Sequence, residues 1–374
     1  MINIMSGEKM NQKVKAKNKK EKIRIGILHG AITNAGDFLI YERGKKLLEN
    51  FFDERFDLIY IERFKHFSGD FDGLIILGGP LISRKIHNQS KNIREYIKNK
   101  NIPIFCVSLG ISGQKFDFEN NYFLDNASVS FWKQIYESSK LFSVRDKITY
   151  KILNNYGIKT ELTGCCALFN LKNLENENLI KNKKDFSKIA VTVPNLSVIL
   201  PVISFSSVKN LLLTLYFLFK MKKEFNKKEI GLFFQHGYKN FTMKFIKKIA
   251  NILDIKTYDI SGKSLDSFKE LCEYDVHIGT RLHTHLYFLS SNKSSFLFNI
   301  DMRTEAFLKT IETPSEAYTL IGIKNLVNTL KEKIAKNNFN EFNNVPDKIR
   351  EFYIVMKNFL NKIVLFYKEY DNYV

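Results

Sequence analysis

Y-D-V-H-I-G-T-R-L-H-T-H-L-Y-F-L-S-S, Tyr274 to Ser291, is the stretch from which the rest of this chain can be read. It predicts a short apolar strand, Asp275 to Ile278, a glycine-threonine turn, and a helix that begins with Arg281, His283 and His285. Thr280 is expected to cap that helix by accepting a bond from a free first-turn amide. Unpaired amides and the helix dipole favour an anion at such an end, and an arginine with two histidines adds charge and a titrating proton. On the stretch alone, a phosphate or carboxylate site and a merely polar helix start both fit.

The same strand-turn-helix unit recurs on either side. Apolar, β-branched runs fall at Lys22 to His29, Phe56 to Ile61, Gly73 to Leu77, Ile102 to Leu109, Leu141 to Val144 and Lys159 to Leu162. Helical patterns such as Ser90 to Lys100 and Lys147 to Tyr156 lie between them. After a polar link, Leu171 to Phe186, the pattern restarts at Lys188 to Asn195 and continues with Glu229 to Gln235, Lys256 to Ile260 and Ser295 to Ile300. Strands alternating with helices argue for parallel sheets covered on both faces. The expected fold class is α/β, with two Rossmann-like doubly wound domains facing a cleft. The boundaries read as a basic disordered tail over 1–21, a first domain over 22–185, a second over 186–335, and a helical extension over 336–374. In that extension Asp347 to Tyr370 forms a closing helix able to return to the first domain. Two such domains put their strand carboxyl ends, and hence a ligand, at the junction.

Composition bounds the function. The chain has 374 residues, 44% hydrophobic and 14% aromatic, enough for two proper cores, which excludes wholesale disorder. Its formal charge of +19 requires an account. Part of it crowds the start, where Lys9, Lys13, Lys15, Lys17, Lys19, Lys20, Lys22 and Arg24 stand among few apolar residues. That stretch lacks the apolar middle of a signal peptide, so a cytoplasmic location is expected, with the inner face of a membrane as a second option. The other lysines are spread along helices such as Lys220 to Lys228 and Lys244 to Lys248, without a helix-turn-helix, RNP-type or zinc-finger pattern, so no specific nucleic acid is expected. Anionic substrates or peripheral contact with an anionic membrane explain the charge equally well. Leu196 to Met221 is strongly apolar, yet it holds Pro201 and Lys209 and is too short to span a bilayer, so it reads as a loop plus a buried helix. Cys106, Cys165, Cys166 and Cys272 stand in apolar surroundings and read as reduced buried thiols, without metal-ligand spacing.

Four loops after predicted strands carry candidate chemistry. T-N-A-G-D offers Asn34, Gly36 and Asp37, with a turn and a helix cap as the plain alternatives. L-G-G-P-L offers Gly78 and Gly79, which let a ligand approach the backbone, with Pro80 removing one donor. S-L-G-I-S-G, Ser108 to Gly113, has the same ambiguity. F-S-V-R-D-K places Arg145 and Asp146 where a strand ends and a helix begins, either as a solvated ion pair or with Arg145 reaching across the cleft toward Arg281 to grip an oxyanion.

The order of these motifs, N-x-G-D, G-G, S-x-G-I-S, S-V-R-D and a late G-T-R-L-H, resembles the polysaccharide pyruvyl transferase family over roughly Ile23 to Phe307. The resemblance implies a two-domain fold of the GT-B glycosyltransferase type and transfer of pyruvate from phosphoenolpyruvate to sugar hydroxyls. It implies that Arg145, Arg281 and His283 hold phosphoenolpyruvate, that Asp37, Gly36, Gly78 and Gly79 fill other recurrent positions, and that Arg303 adds charge where relatives often have a lysine. Asn34 and Thr280 join this substrate-binding set through the loops that carry them. His283 is the expected acid and Asp37 the expected base. The scheme needs no metal and no cofactor, phosphoenolpyruvate being a donor substrate. The acceptor implied is a cell-surface glycan, such as a capsule or exopolysaccharide, or its lipid-linked precursor.

The chain departs from the pattern at Cys165-Cys166, where relatives show Asp-Pro, at Pro80, where a third glycine is common, and at Thr284-His285. These leave the donor arginines in place and bear on the acceptor. A nucleotide-sugar glycosyltransferase on the same fold, with Arg281 on a diphosphate, is the alternative. A non-catalytic basic binder of anionic polymer or membrane is a third reading. A metal held by His283 and His285 is disfavoured, because two positions along a helix point in different directions.

Overall fold

The computed structural model describes residues 22–86, 89–98, 100–113, 124–175, 186–196, 205–262 and 264–370. The basic tail, Pro201 and most of the polar link lie outside them. Among the described residues the chain forms two six-stranded, wholly parallel sheets.

The first sheet contains β1 (Ile23–His29), β2 (Phe56–Glu62), β3 (Gly73–Leu77), β4 (Ile104–Leu109), β5 (Phe142–Val144) and β6 (Glu161–Leu162), in the order β2-β1-β3-β4-β5-β6. Its helices are α1 (Ala35–Phe51), α2 (Gln89–Ile97), α3 (Asn126–Ser139), α4 (Lys147–Asn155) and the short α5 (Leu171–Glu175). Every residue of β3 and β4 is buried, as expected of strands with helices on both faces.

The second sheet contains β7 (Lys188–Thr192), β8 (Glu229–Phe234), β9 (Lys256–Asp259), β10 (Val276–Gly279), β11 (Ser295–Asn299) and β12 (Ser315–Ala317), in the order β12-β11-β10-β7-β8-β9. Its helices are α6 (Phe205–Glu224), α7 (Phe241–Ile252), α8 (Lys269–Cys272), α9 (Leu282–Ser290), α10 (Met302–Ile311) and α11 (Leu320–Lys336). The strand β12 is an addition to the sequence reading: only Ser315, Glu316 and Ala317 pair, with no apolar run to announce them. In each sheet the order reverses beside the first strand, between β1 and β3 and between β7 and β10, and ligands of doubly wound sheets gather at such points.

A last helix, α12 (Val345–Tyr370), returns to the first sheet. Its Tyr367 packs against Phe56 and Phe105 and donates to the Asp72 carbonyl at 3.3 Å, and Lys362 pairs with Glu161 at 2.9 Å. Met356, Phe359 and Leu360 of α12 share one apolar cluster with Ile25 and Phe105 of the first sheet and with Ala190, Phe233, Leu286 and Phe288 of the second unit. Burying the two sheets against a shared core removes the hydrophobic reason for them to separate.

Some sequence expectations are corrected. Cys106, Cys165 and Cys166 are buried, whereas Cys272 is exposed because it ends the short surface helix α8. The apolar segment near Leu212 forms a helix that is only half buried: Leu213, Phe217, Leu218 and Met221 face the sheet, while Leu212 and Phe219 face solvent. Among the described residues no helix is long and apolar enough to cross a membrane.

Candidate functional site

Arg281, not Thr280, is the N-cap of α9, and it makes no side-chain cap bond. The turn is held from the neighbouring strand instead: Thr192 of β7 accepts from the Thr280 amide through its carbonyl at 3.1 Å and from the Arg281 amide through its hydroxyl at 3.2 Å. Thr280 is thereby left with a buried hydroxyl that has no partner among the described residues. Arg281 Nε donates to the Val193 carbonyl at 2.9 Å, which fixes the guanidinium at the point where β7 and β10 diverge. Half-buried, its pKa is brought down to about 10, by burial first and then by Arg303, with Asp301 opposing.

The two candidate histidines separate in role. His285 is fully buried, with Nδ1 2.8 Å from Ser295 Oγ and Nε2 3.2 Å from Thr313 Oγ1; His277 on β10 reaches the same Ser295 hydroxyl at 2.7 Å. Both are satisfied core histidines, so His285 is no part of the site. His283 is buried too, but its Nε2 has no partner among the described residues. Burial holds its pKa well below the usual histidine value, and Arg145, Arg303, His236 and Arg281 push in the same direction. Positive groups from both sheets therefore converge on one imidazole.

The first unit meets it directly. Asn34 N-caps α1, accepting from the Gly36 amide at 3.1 Å, and its amide nitrogen donates to Asp37 Oδ2 at 3.1 Å. A Cβ on Gly36 would fall inside the van der Waals radius of His283 Nδ1, so glycine is required here by close approach of the histidine. Nearby, the Ala35 amide donates to the Gln235 carbonyl at 3.1 Å and the Gly262 amide to the Thr33 carbonyl at 2.6 Å, binding the helix start to the second unit. Burial raises the Asp37 pKa; Arg63, the Asn34 bond, Arg303 and Arg145 hold it back.

Arg145 lies at the end of β5, 1% exposed, with Nε 3.5 Å from Asp146 Oδ2. Its Nη1 and Nη2 have no hydrogen-bond partner among the described residues. Asp146 spends its other oxygen on capping α4, accepting from the Thr149 amide and hydroxyl at 2.7 Å each. The solvated ion pair weighed from sequence is thus a buried one. Gly110, in the third loop, is pressed against the Arg145 guanidinium. A buried guanidinium with two nitrogens unpaired is costly in a folded protein unless an anion shares the site.

Gly78 and Gly79 adopt φ of +58° and +93°, a region that favours glycine. The space a side chain would take belongs to Ile40 and to Arg63 respectively, so these glycines shape a bed for a protein guanidinium in place of an open path for a ligand. Arg63, which sequence reasoning missed, follows β2; it is buried, donates to the Gly78 carbonyl at 2.8 Å and is brought down to about 10 by burial. His236, after β8, was missed as well. It keeps solvent contact, yet loss of solvation and the charges of Arg281 and Arg303 bring it down to about 4. Both stand at strand carboxyl ends, which was the available signal. Arg303 is fixed by two bonds to Asp301 Oδ2, at 2.9 and 2.5 Å.

The assembled site is a largely buried cationic cluster, Arg145, Arg281, Arg303 and Arg63, near His283, with two carboxylates of raised pKa, Asp37 and Asp146, among them. It can hold a small polyanion and move a proton to or from it. Among the described residues no cluster of three or more histidines, cysteines or acids is arranged to hold a metal ion.

A family model described as "Polysaccharide pyruvyl transferase" matches residues 34–302, which include all of these groups except Arg303, the next residue along. No curated protein matches the chain. Solved structures share its fold: a putative UDP-N-acetylglucosamine 2-epimerase from Listeria monocytogenes (TM-score 0.58, 10% identity, 93% of this chain and 97% of that one); UDP-GlcNAc 2-epimerase from Neisseria meningitidis bound to UDP-GlcNAc (0.55, 10%, 91% and 98%); and a glycosyltransferase from Rickettsia africae (0.54, 13%, 93% and 98%). At these identities the likeness is one of GT-B-like fold alone.

Proposed function

The chain belongs to the polysaccharide pyruvyl transferase family, and from that premise we propose that it moves pyruvate from phosphoenolpyruvate onto sugar hydroxyls of a cell-surface glycan or its lipid-linked precursor. The observation that carries the reading is Arg145, a buried guanidinium with both terminal nitrogens unpaired, in a cleft shared with Arg281 and His283. Phosphoenolpyruvate carries a carboxylate and a phosphate, which match two forked cations.

Reaction follows from the proton inventory. An acceptor hydroxyl gives its proton to Asp37 as its oxygen bonds to the enol carbon, while His283 delivers a proton to the methylene, giving a tetrahedral centre that bears methyl, carboxylate, phosphate and sugar oxygen. A second hydroxyl then displaces phosphate, its proton passing to the now neutral His283 while the proton held by Asp37 goes to the departing phosphate, closing a cyclic ketal and restoring both side chains. Burial and the surrounding guanidiniums hold His283 neutral, and a polyanion among those guanidiniums cancels their repulsion and raises the imidazole pKa toward protonation. Asp37, its pKa raised by burial, is a stronger base than a solvated carboxylate.

The test is an assay of purified protein with phosphoenolpyruvate and a lipid-linked saccharide. Phosphate release should accompany a product heavier by one pyruvate ketal, and His283→Gln should lower the rate by roughly a hundredfold or more; an undiminished rate in that variant would remove His283 from the mechanism. A nucleotide-sugar transferase remains a second reading, favoured by the UDP-GlcNAc-bound epimerase and the glycosyltransferase that share the fold.

A further inference from the structure

The outer face of the second unit carries a feature that the cleft chemistry does not use. Helices α6 and α7 follow β7 and β8, whose crossovers run in the same direction along the sheet, so the right-handed rule puts both helices on one face, where they touch. On α7 the sheet-facing side is Thr242, Met243, Ile246 and Ala250. The opposite side is not the polar stripe expected of a surface helix. It reads Phe241, Lys244, Phe245, Lys248, Ile252, all exposed, with Phe241 80% and Ile252 69% accessible. On α6 the solvent side carries Val208, Lys209, Leu212, Phe219 and Lys223, with Leu212 61% accessible. The α7 helix has no acidic residue, and the one acid of α6, Glu224, is engaged by Lys220 and Lys331.

Large apolar side chains interleaved with unopposed lysines are the pattern of a surface that sits in a lipid headgroup layer: the rings enter the acyl boundary and the ammonium groups meet anionic headgroups. We propose that this face of α6 and α7 docks the protein on an anionic bilayer. Charge decides against other occupants. A second copy of this positive face would be repelled, and so would the chain's own lysine-rich start, Lys9 to Lys20. A nucleic acid would answer the lysines but would leave Phe241, Leu212 and Ile252 without partners. The position also suits the chemistry: Phe241 begins α7 just beyond the β8 loop, whose Gln235 carbonyl binds the start of α1 at the cleft. The mouth of the cleft would then open beside the membrane, where a lipid-linked acceptor presents its sugar. The docking surface stands whether or not phosphoenolpyruvate is the donor.

Flotation of the full chain with vesicles tests it without any turnover. Vesicles of equal parts phosphatidylglycerol and phosphatidylcholine should carry the protein, and phosphatidylcholine alone should not. Lys244→Gln with Lys248→Gln should weaken binding by about thirtyfold, taking the usual contribution of each lysine near an anionic surface. Phe241→Ser with Phe245→Ser should weaken it by at least about tenfold, although the charge is unchanged. All four positions are exposed, so thermal melting should match the wild type and show that folding is intact. Wild-type protein that ignores anionic vesicles overturns the proposal. So does undiminished binding in both double variants, which would place the anchor in the basic start of the chain. A dimer that the phenylalanine changes dissociate, with no vesicle binding, would assign the face to a protein contact.

Discussion

At the scale of single residues, the distinctive chemistry lies in groups that the fold keeps dry. His277, His283 and His285 are neutral because burial penalises the imidazolium, His285 at about 3 and the other two well below the usual value. Their native pKa values are depressed, so the unfolded chain takes up protons below about pH 6.5 that the folded chain refuses. Stability is full above that pH and falls as pH drops toward the native values. His29 and His236, both brought down to about 4, are depressed in the same way, so each fully buried imidazole adds about 1.4 kcal/mol per pH unit to a shared slope once the unfolded rings are charged. Asp37 and Asp146 are shifted upward and oppose this in the acid range. Melting temperature should therefore fall steadily between about pH 6.5 and 5, and His285→Gln should flatten that slope by about a fifth; a pH-independent melt would show that these imidazoles are not held neutral.

At the scale of elements, strand-turn-helix units were legible because most strands carry an apolar run and the turns after them carry Gly, Asn or Asp, whereas β12 has no such run. Arg145, Arg281, His283 and Asp37 were singled out because they stand at the carboxyl ends of such strands, and the structure brings them together. Arg63 and His236 stand at equivalent ends, but I-E-R-F and Q-H-G carry no glycine pair or motif that separates them from ordinary surface residues. The Thr280 cap failed for a tertiary reason: Thr192, some ninety residues earlier in the chain, supplies the bonds that hold the turn. His285 could not be told from His283 by spacing, because only packing shows that Ser295 and Thr313 satisfy one ring while the other faces the cleft. The start of α1 gives a sharp test of that cleft-facing ring. Gly36→Ala keeps helical geometry but drives a methyl into His283. It should cost about 1–3 kcal/mol in denaturant unfolding and lower turnover as well, whereas a neutral outcome would mean that α1 and α9 do not meet as described.

At the scale of the whole molecule, two doubly wound sheets share one apolar cluster, and α12 ties the end of the chain back to the first sheet. Sequence reading placed Arg145 and Arg281 on opposite sides of a cleft. The contact of Gly36 with His283 and the bond from Ala35 to Gln235 show the two halves already joined at the cleft. Arg43 adds to this, donating to the Ala167 carbonyl and, at 2.6 Å, to Ser290 Oγ across the same boundary. The site is thus a preorganised cationic cleft, and its central claim is that the anion it holds is phosphoenolpyruvate, bound through the unpaired fork of Arg145. Calorimetric titration of phosphoenolpyruvate and of UDP-GlcNAc into wild type and Arg145→Lys tests this most directly. Lysine keeps the positive charge beside Asp146, so the fold should hold, but it cannot present two parallel donors, and affinity should fall by roughly ten- to a hundredfold. The account predicts that phosphoenolpyruvate binds the wild type and loses that affinity in the variant; binding of UDP-GlcNAc in its place, or phosphoenolpyruvate binding untouched by Arg145→Lys, would contradict it.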